Sequence, residues 1–254
     1  MFTKRAKVNR RIEPSVERSG WRARLNVRAV ALSAMALTVC GLAIWGAMVL
    51  NDPRTLPIAT VKIEGEFRHL GKAQVQHALA GHVAGGFFNA DVEAARAAVL
   101  RLPWVNTATV RRVWPDTLEV TVVEQTPLAR WGVGGLVNSQ GALFFPSPDS
   151  YPAGLVQLQG PQGSEATVAA RYRNMDQSLR AIGLRINRVA LDDRRAWRIE
   201  LDNGAMLVLG RAADDARLKR FARLYPAALA ARAADIREID LRYPNGFAVR
   251  WKKV

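Results

Sequence analysis

A run of 22 uncharged residues, Ala29 to Leu50, constrains this chain more than any other feature. As an α-helix rising 1.5 Å per residue, it would be about 33 Å long, enough to cross a hydrocarbon core of about 30 Å. Its strongly apolar side chains favour membrane insertion by roughly 3 kcal/mol in total. The buried helix of a soluble protein rarely stays uncharged over about six turns, so the run predicts a membrane-spanning helix.

The charges on either side of this run predict its orientation. Residues 1–28 contain nine Lys or Arg and only two Glu, whereas Asn51, Asp52 and Pro53 follow the run. Positive charge beside a first span holds that end in the cytoplasm. A cleaved signal peptide has an apolar core of about 7–15 residues and then a small-residue cleavage site, which this run does not match. We therefore expect an uncleaved single-pass anchor, with the basic tail 1–28 inside and residues 51–254 outside. From the general style of the chain, we expect the membrane to be a bacterial cell inner membrane and the outer compartment to be the periplasm.

The net charge of +15 does not indicate nucleic-acid binding. The tail alone carries +7 of it, and the membrane topology and anionic inner-leaflet lipid explain that share. The remaining charge is spread along the chain without the aromatic interleaving of RNA-binding domains. The single cysteine, Cys40, lies in the predicted span, so the exported part is expected to fold on its core without disulfides.

Residues 58–126, after a linker at 51–57, predict a small domain of order β-α-α-β-β. The strand Ala59–Gly65 alternates apolar and polar residues, and Pro115 favours a turn between the last two strands. Apolar residues at helical spacing predict a helix over 71–83 and another that Asn89 or Asp91 caps. The closing strands are Val105–Val113 and Leu118–Val122. Elements in this order form helices on one face of a small sheet.

Residues 127–254 predict a larger β-rich domain, with a mostly antiparallel sheet flanked by helices. Its predicted strands are Pro127–Trp131, Leu136–Phe145 with a turn at residues 138–141, Leu155–Leu158, Ile186–Leu191, Trp197–Leu201, Met206–Leu209, Ile236–Leu241 and Phe247–Trp251. One helix covers 165–182, and another begins at Asp214 and Asp215 with Leu218, Phe221, Leu224 and Tyr225 inward. Asn203-Gly204 is a strong hairpin signal. The chain as a whole is therefore assigned to the α+β class.

No motif in the sequence predicts catalysis or a metal site. His77 and His82 are five residues apart, which does not bring them together on one helix face. The acidic pairs at 192–193 and 214–215 suit a turn and a helix start. A pair of carboxylates of the glycosidase type stays open on sequence alone. We predict no catalytic residue, no bound metal and no cofactor.

The last predicted strand is the best candidate for a binding surface. Only Lys252, Lys253 and Val254 follow Phe247–Trp251. A strand at the edge of a sheet leaves backbone N–H and C=O groups unpaired, and a partner can add its own strand there. Tyr243 and Trp251 are of the types enriched at interfaces. Packing of both side chains into the core is the alternative that the pattern leaves open.

Several of these stretches together resemble the FtsQ/DivIB family of bacterial cell division proteins. The resemblance is carried by Val61–Gly65, Leu102–Val105, Val110–Leu118 and Val123–Trp131. It implies that residues 58–126 form a POTRA domain and that residues 127–254 form the β domain of this family. The tail 1–28 and span 29–50 also match the family's layout, so the resemblance covers the whole chain.

The resemblance also implies a function and a site. The segment Asp240–Trp251 is similar to the one that docks FtsB in FtsQ proteins. The implied partner contacts are Tyr243, Gly246, Phe247, Ala248, Val249, Trp251 and Arg195. A non-enzymatic scaffold at the septum is implied, which binds FtsB and FtsL, helps control wall synthesis and recruits further proteins such as FtsK through the POTRA domain. The other interpretation is a membrane-anchored periplasmic chaperone or secretion-assembly factor that uses its POTRA domain.

Overall fold

The computed structural model describes residues 27–51, 57–83, 86–211 and 215–253. The chain divides into two compact units, residues 1–50 and 51–254. Several predicted features lie outside the described residues: most of the basic tail, Asp52 and Pro53 with most of the linker 51–57, Gly85, Asp214 and Val254.

Helix α1, Val27–Asn51, contains the predicted membrane span. Its stretch Val30–Val49 is long and apolar enough to cross a membrane, and no other helix of the described ranges meets that test. Its described side chains are exposed or half-buried, including that of Cys40. The Thr38 hydroxyl donates to the Ala34 carbonyl at 2.9 Å, so this polar group is satisfied within the helix.

The remaining elements follow the predicted order closely. The helices are α2 Lys72–Leu79, α3 Gly86–Asn89, α4 Val92–Leu100, α5 Glu165–Arg180 and α6 Asp215–Ala228. The strands are β1 Thr60–Glu64, β2 Val105–Val113, β3 Thr117–Glu124, β4 Pro127–Trp131, β5 Gly135–Asn138, β6 Leu143–Phe144, β7 Gln157–Gln159, β8 Ile186–Leu191, β9 Trp197–Leu201, β10 Met206–Gly210, β11 Ile236–Asp240 and β12 Ala248–Trp251. Short 3-10 helices lie at Pro148–Ser150 and Ala230–Asp235.

The small module is a three-stranded sheet of order β1-β3-β2 packed against α2 and α4. β1 runs parallel to β3, and β2 runs antiparallel to it. Asp91 caps α4 by accepting a hydrogen bond from the Ala94 amide at 2.9 Å, as its side-chain type predicts. α2 ends at Leu79, four residues earlier than predicted, and the short helix α3 was not predicted.

The large module is built on a nine-stranded mixed sheet of order β12-β11-β10-β9-β8-β7-β4-β5-β6. The predicted antiparallel meander β8-β9-β10 is present. α5 and α6 contribute to its core through side chains such as Val168, Met175 and Phe221, all buried. Leu224 is the exception to the predicted inner face of α6, since it is exposed.

The predicted strand Leu136–Phe145 is divided into β5 and β6 at the turn predicted for residues 138–141. The buried side chain of Asn138 stops β5 and forms the turn to β6. Its Oδ1 accepts hydrogen bonds from the amides of Gln140 and Ala142, both at 2.9 Å. A side chain that satisfies the backbone of its own turn competes with a continuous strand.

The two modules of residues 57–253 share apolar contacts. Leu136 and Phe144 from the large sheet belong to the core that Val75, Leu118 and Val120 form in the small module. The rings of Trp104 and Phe144 lie 5.3 Å apart, edge to face. The Trp104 indole N–H also donates to the Ser150 hydroxyl at 3.0 Å. The large module is therefore held against the small one by buried apolar area and by a satisfied polar group.

Glu124 organises the loop that enters α2. Its carboxylate accepts hydrogen bonds from the amides of Arg68, His69 and Leu70, at 3.0, 3.2 and 2.8 Å. The His69 Nδ1 lies 3.3 Å from the same carboxylate, and the His69 ring stacks on Trp104 with 4.0 Å between centroids. His69 thus has a structural role in this loop.

Candidate partner-binding edge

β12 lies at one edge of the nine-stranded sheet. It pairs with β11 in antiparallel register, from Asp240 opposite Ala248 to Ile236 opposite Trp251, and no other described strand pairs with it. The Lys252 amide donates to the Asp235 carbonyl at 2.7 Å, so it points toward β11. Because amides alternate in direction along an extended strand, those of Val249 and Trp251 point to the open edge.

The side chains of β12 alternate between two environments. Val249 and Trp251 are half-buried against the core of the large module, whereas Ala248 and Arg250 are exposed. The guanidinium of Arg232 lies over the Trp251 ring, 4.2 Å from its centroid. The Lys252 ammonium donates to the Ala234 carbonyl at 2.7 Å. These contacts hold the strand in place from one side and leave its outer backbone groups accessible.

The loop between β11 and β12 is held by a carboxylate–guanidinium pair. Arg242 donates through Nε to both oxygens of Asp240, at 2.9 and 3.0 Å, and through Nη2 at 2.6 Å. These hydrogen bonds lower the pKa of Asp240 and raise that of Arg242. The Arg220 guanidinium donates to the Pro244 carbonyl in the same loop. Gly210 adopts φ of +73°, and a Cβ there would lie 3.0 Å from Cγ of Arg242.

The predicted contact residues in this loop have different environments. Tyr243 is 52% exposed, so it is not a core residue. A Cβ added at Gly246 would have no neighbour within 4 Å. Phe247, in contrast, packs its ring edge-on against the buried Phe221 at 5.8 Å. Residues 243–248 line an open cavity of about 440 Å³. The segment therefore offers an exposed aromatic side chain and a hollow beside the free strand edge.

Arg195 lies at the same end of the sheet as Tyr243 but is separated from β12. It occupies the turn from β8 to β9, where its φ is +63° and its amide donates to the Asp192 carbonyl at 2.8 Å. Strands β10 and β11 stand between β9 and β12. At about 4.8 Å per strand, the turn lies roughly 14 to 19 Å from β12. A partner bound along β12 would need to extend past the ends of β11 and β10 to contact Arg195 as well.

Sequence reasoning missed two residues that shape this edge. Arg242 holds the loop through Asp240, and Arg250 projects from β12 with its guanidinium 3.7 Å from Glu238 on β11. The sequence did contain a sign of the Arg242 pair, because Asp240 and Arg242 are two residues apart at the end of a predicted strand. The pairing of Arg250 with Glu238 depends on the register between two strands, which the sequence does not display.

The described residues contain no group of three or more His, Cys, Asp or Glu side chains that could hold a metal ion. His77 is exposed, His82 is half-buried and His69 contacts Glu124 and Trp104. Two further open cavities, of about 470 and 560 Å³, flank the His69 loop. Glu124, the carboxylate at the first of them, is already bonded to three backbone amides. The arrangement of the described chain is suited to binding through the β12 edge.

Comparison with known proteins identifies both modules. Residues 56–125 match the profile described as "POTRA domain, FtsQ-type". Residues 129–242 match the one described as "Cell division protein FtsQ/DivIB, C-terminal". The second match ends directly before Tyr243.

Several proteins named cell division protein FtsQ are similar to this one over most of the chain. The cell division protein FtsQ of Allochromatium vinosum is 39% identical over 220 residues, covering 87% of this chain and 88% of the relative. The FtsQ of Burkholderia pseudomallei is 37% identical over 230 residues, covering 89% and 91%. The FtsQ of Coxiella burnetii is 36% identical over 207 residues, covering 82% and 85%. Together with helix α1, these similarities indicate a single-pass membrane protein that takes part in cell division.

Proposed function

The chain belongs to the FtsQ/DivIB family of cell division proteins, and on that basis we propose that it is a non-enzymatic scaffold of the division machinery. It binds the FtsB–FtsL pair in the periplasm and thereby links early and late division proteins at the septum and helps to control wall synthesis. Residues 58–126 act as the POTRA domain and residues 127–254 as the partner-binding β domain. The POTRA domain contributes recruitment of other division proteins, FtsK among them.

The observation that carries this proposal is the free edge of β12. The outward amides of Val249 and Trp251 have no strand beside them among the described residues. An extended peptide that pairs with them gains backbone hydrogen bonds, and side-chain hollows beside the edge give it specificity. The open cavity at residues 243–248 and the exposed Tyr243 supply such a hollow directly next to the strand.

The predicted contacts act in three ways within this proposal. Tyr243, Gly246 and Ala248 lie on the accessible surface and meet the partner directly. Val249 and Trp251 offer backbone groups, while their side chains pack on the module. Phe247 fixes the loop against Phe221, and Arg195 meets an acidic group farther along the partner.

The sharpest test compares two variants at one position, Val249→Pro and Val249→Ala. Both lose the same packing side chain, but only proline removes the outward amide while leaving the pairing with β11. Binding of purified FtsB–FtsL to the full chain in nanodiscs should fall at least about tenfold for Val249→Pro, the equivalent of 1.4 kcal/mol. Val249→Ala should stay close to the parent. Equal affinities for both variants would contradict strand addition.

A second pair of variants tests the side-chain contribution. Tyr243→Ala removes an exposed aromatic ring beside the cavity and should weaken FtsB–FtsL binding without loss of stability. Leu224→Ala is the matched control, because Leu224 is a similarly exposed apolar residue on the outer face of α6. Thermal unfolding of both variants in parallel separates a binding defect from a folding defect. Normal binding by Tyr243→Ala would remove this residue from the interface.

The proposal includes the topology that the charge pattern predicts, with the tail in the cytoplasm and residues 51–254 in the periplasm. A fluorescent fusion expressed in place of the parent gene tests the cellular role. We expect bands at midcell, and filamentous growth when the protein is depleted. Uniform peripheral fluorescence with normal division would instead favour an assembly factor or chaperone. The match of residues 56–125 to an FtsQ-type POTRA profile argues against that alternative.

A further inference from the structure

The turn between β2 and β3 carries an exposed apolar surface that the proposed function does not use. We call residues 113–116 the hairpin tip. Trp114 at this tip is 75% exposed, and the adjacent Val113 is also exposed. An exposed Trp on a folded domain leaves a large apolar area in water, and such surfaces commonly mark contacts with a protein or a membrane.

Phe88 lies at the same end of the small module. The Arg112 guanidinium, two residues before Trp114, donates to the Ala90 carbonyl at 2.6 Å. Ala90 follows directly after α3, whose Phe87 is buried while Phe88 is 45% exposed. The edge-on contact between these two rings, 5.3 Å between centroids, holds the exposed one in place. This end of the module therefore presents two aromatic side chains from different elements.

The chain enters the small module at this same end. β1 and β3 are parallel, with Thr60 opposite Thr117, and the Ala59 amide donates to the Asp116 carbonyl at 3.0 Å. The hairpin tip is thus bonded to the first residues that follow the linker. Only eight residues separate Asn51, the last residue of α1, from Thr60. A chain of this length reaches at most about 30 Å, whatever path it takes.

We propose that the hairpin tip, together with Phe88, rests on the outer surface of the lipid bilayer that α1 crosses. Trp is enriched at membrane–water interfaces, where its ring sits at the level of the headgroups. The covalent tether keeps this end of the module within reach of that surface. The contact would orient the small module on the membrane and fix the height of the β12 edge above it.

The charges near the tip make the contact mainly apolar. The Arg111 guanidinium is paired with Glu119 at 2.6 Å, and Arg112 is bonded to the Ala90 carbonyl. The Asp91 carboxylate caps α4, and that of Asp116 accepts from the Thr117 hydroxyl. Because the positive and negative side chains near the tip already have partners within the module, anionic lipid should add little to the free energy of the membrane contact. Binding should then be insensitive to salt, even when the Debye length falls from about 10 Å to about 3 Å.

Collisional quenching in liposomes tests the contact with the full chain. A Cys40→Ala background removes the native thiol, and a fluorophore is attached at Val113→Cys or at Val133→Cys. Val133 is a fully exposed valine on the turn after β4, in the large module rather than at the hairpin tip. Lipids brominated near the headgroup should quench the probe at 113 several-fold more than the probe at 133. The difference should persist at high salt.

Variants of the apolar side chains separate a lipid contact from mere tethering. Trp114→Ser combined with Phe88→Ser should abolish the quenching at 113, whereas Phe145→Ser, which alters an exposed aromatic residue of the large module, should not. Equal quenching at 113 and 133 would overturn the proposal. Quenching at 113 that survives the double variant would overturn it as well, because the tether alone would then suffice.

Discussion

Glu124 offers a quantitative test of how the small module is held together. Its buried carboxylate accepts three backbone hydrogen bonds, and two of the donors, the amides of His69 and Leu70, belong to residues that are half-buried and buried. A hydrogen bond to a charged group contributes about 1.5–3 kcal/mol, but three bonds to one carboxylate are not additive. All three amides donate to Oε1, so Glu124→Gln can keep an acceptor oxygen there, but it removes the negative charge and places an NH₂ group at the Oε2 position, 3.2 Å from the His69 amide and 3.3 Å from its Nδ1. We expect the loop at residues 66–70 to lose about 2 kcal/mol of local stability.

Amide hydrogen exchange measures this loss where it occurs. A change of about 2 kcal/mol corresponds to roughly 30-fold faster opening, so the Leu70 amide should exchange roughly 30-fold faster in Glu124→Gln. Glu66→Gln is the matched control in the same loop. The Glu66 side chain is 93% exposed, and its ion pair with the similarly exposed Arg68 is long, at 4.0 Å. Exposed pairs of this kind contribute little. Unchanged protection of Leu70, or an equal effect of Glu66→Gln, would refute the reasoning.

Two further predictions concern the edge and its neighbouring turn. Asp240→Asn should destabilise the large module by about 1 kcal/mol at neutral pH. Arg242 lowers the pKa of Asp240 below its ordinary 3.8 in the folded state. The stability difference between the parent and Asp240→Asn should therefore vanish as the pH falls through that lowered pKa. A stability difference that persists in stronger acid would contradict this explanation. Arg195→Asn should relieve the left-handed backbone and stabilise by about 1 kcal/mol, or roughly 2–4 °C in Tm, while weakening partner binding. Arg194→Asn should do neither, and equal shifts for both variants would show that backbone strain is not the cause.

The helix and strand order could be predicted from the sequence because it depends on local periodicity. The apolar stripe that predicted α5 consists of Val168, Tyr172, Met175, Leu179 and Ile182. The first four side chains are buried in α5, whereas Ile182 is half-buried and lies just beyond its end at Arg180. The errors arose where a tertiary or side-chain contact overrode the pattern. Leu224 fell outside the buried face of α6 although its spacing placed it near that face.

The candidate site was predicted only in part. Its position in the last strand follows from chain order and apolar alternation, and that strand does lie at an edge of the sheet. Whether Tyr243 and Trp251 were surface or core residues stayed open, since aromatic residues suit both. The structure distinguishes them: Tyr243 is exposed, whereas Trp251 is half-buried beneath Arg232. Their contact with a partner stays a prediction for the binding experiments.

The sequence alone determined the membrane helix, because the absence of charge over 22 residues and the length of a helix are local properties. It likewise determined the alternating strands that build the two modules. Only the tertiary structure decided which strand lies at the edge, which amides point outward, and that Trp114 lies at the end of the module where the chain enters. Those features depend on strand order and register between distant segments, and residue periodicity within one segment carries no information about its neighbours.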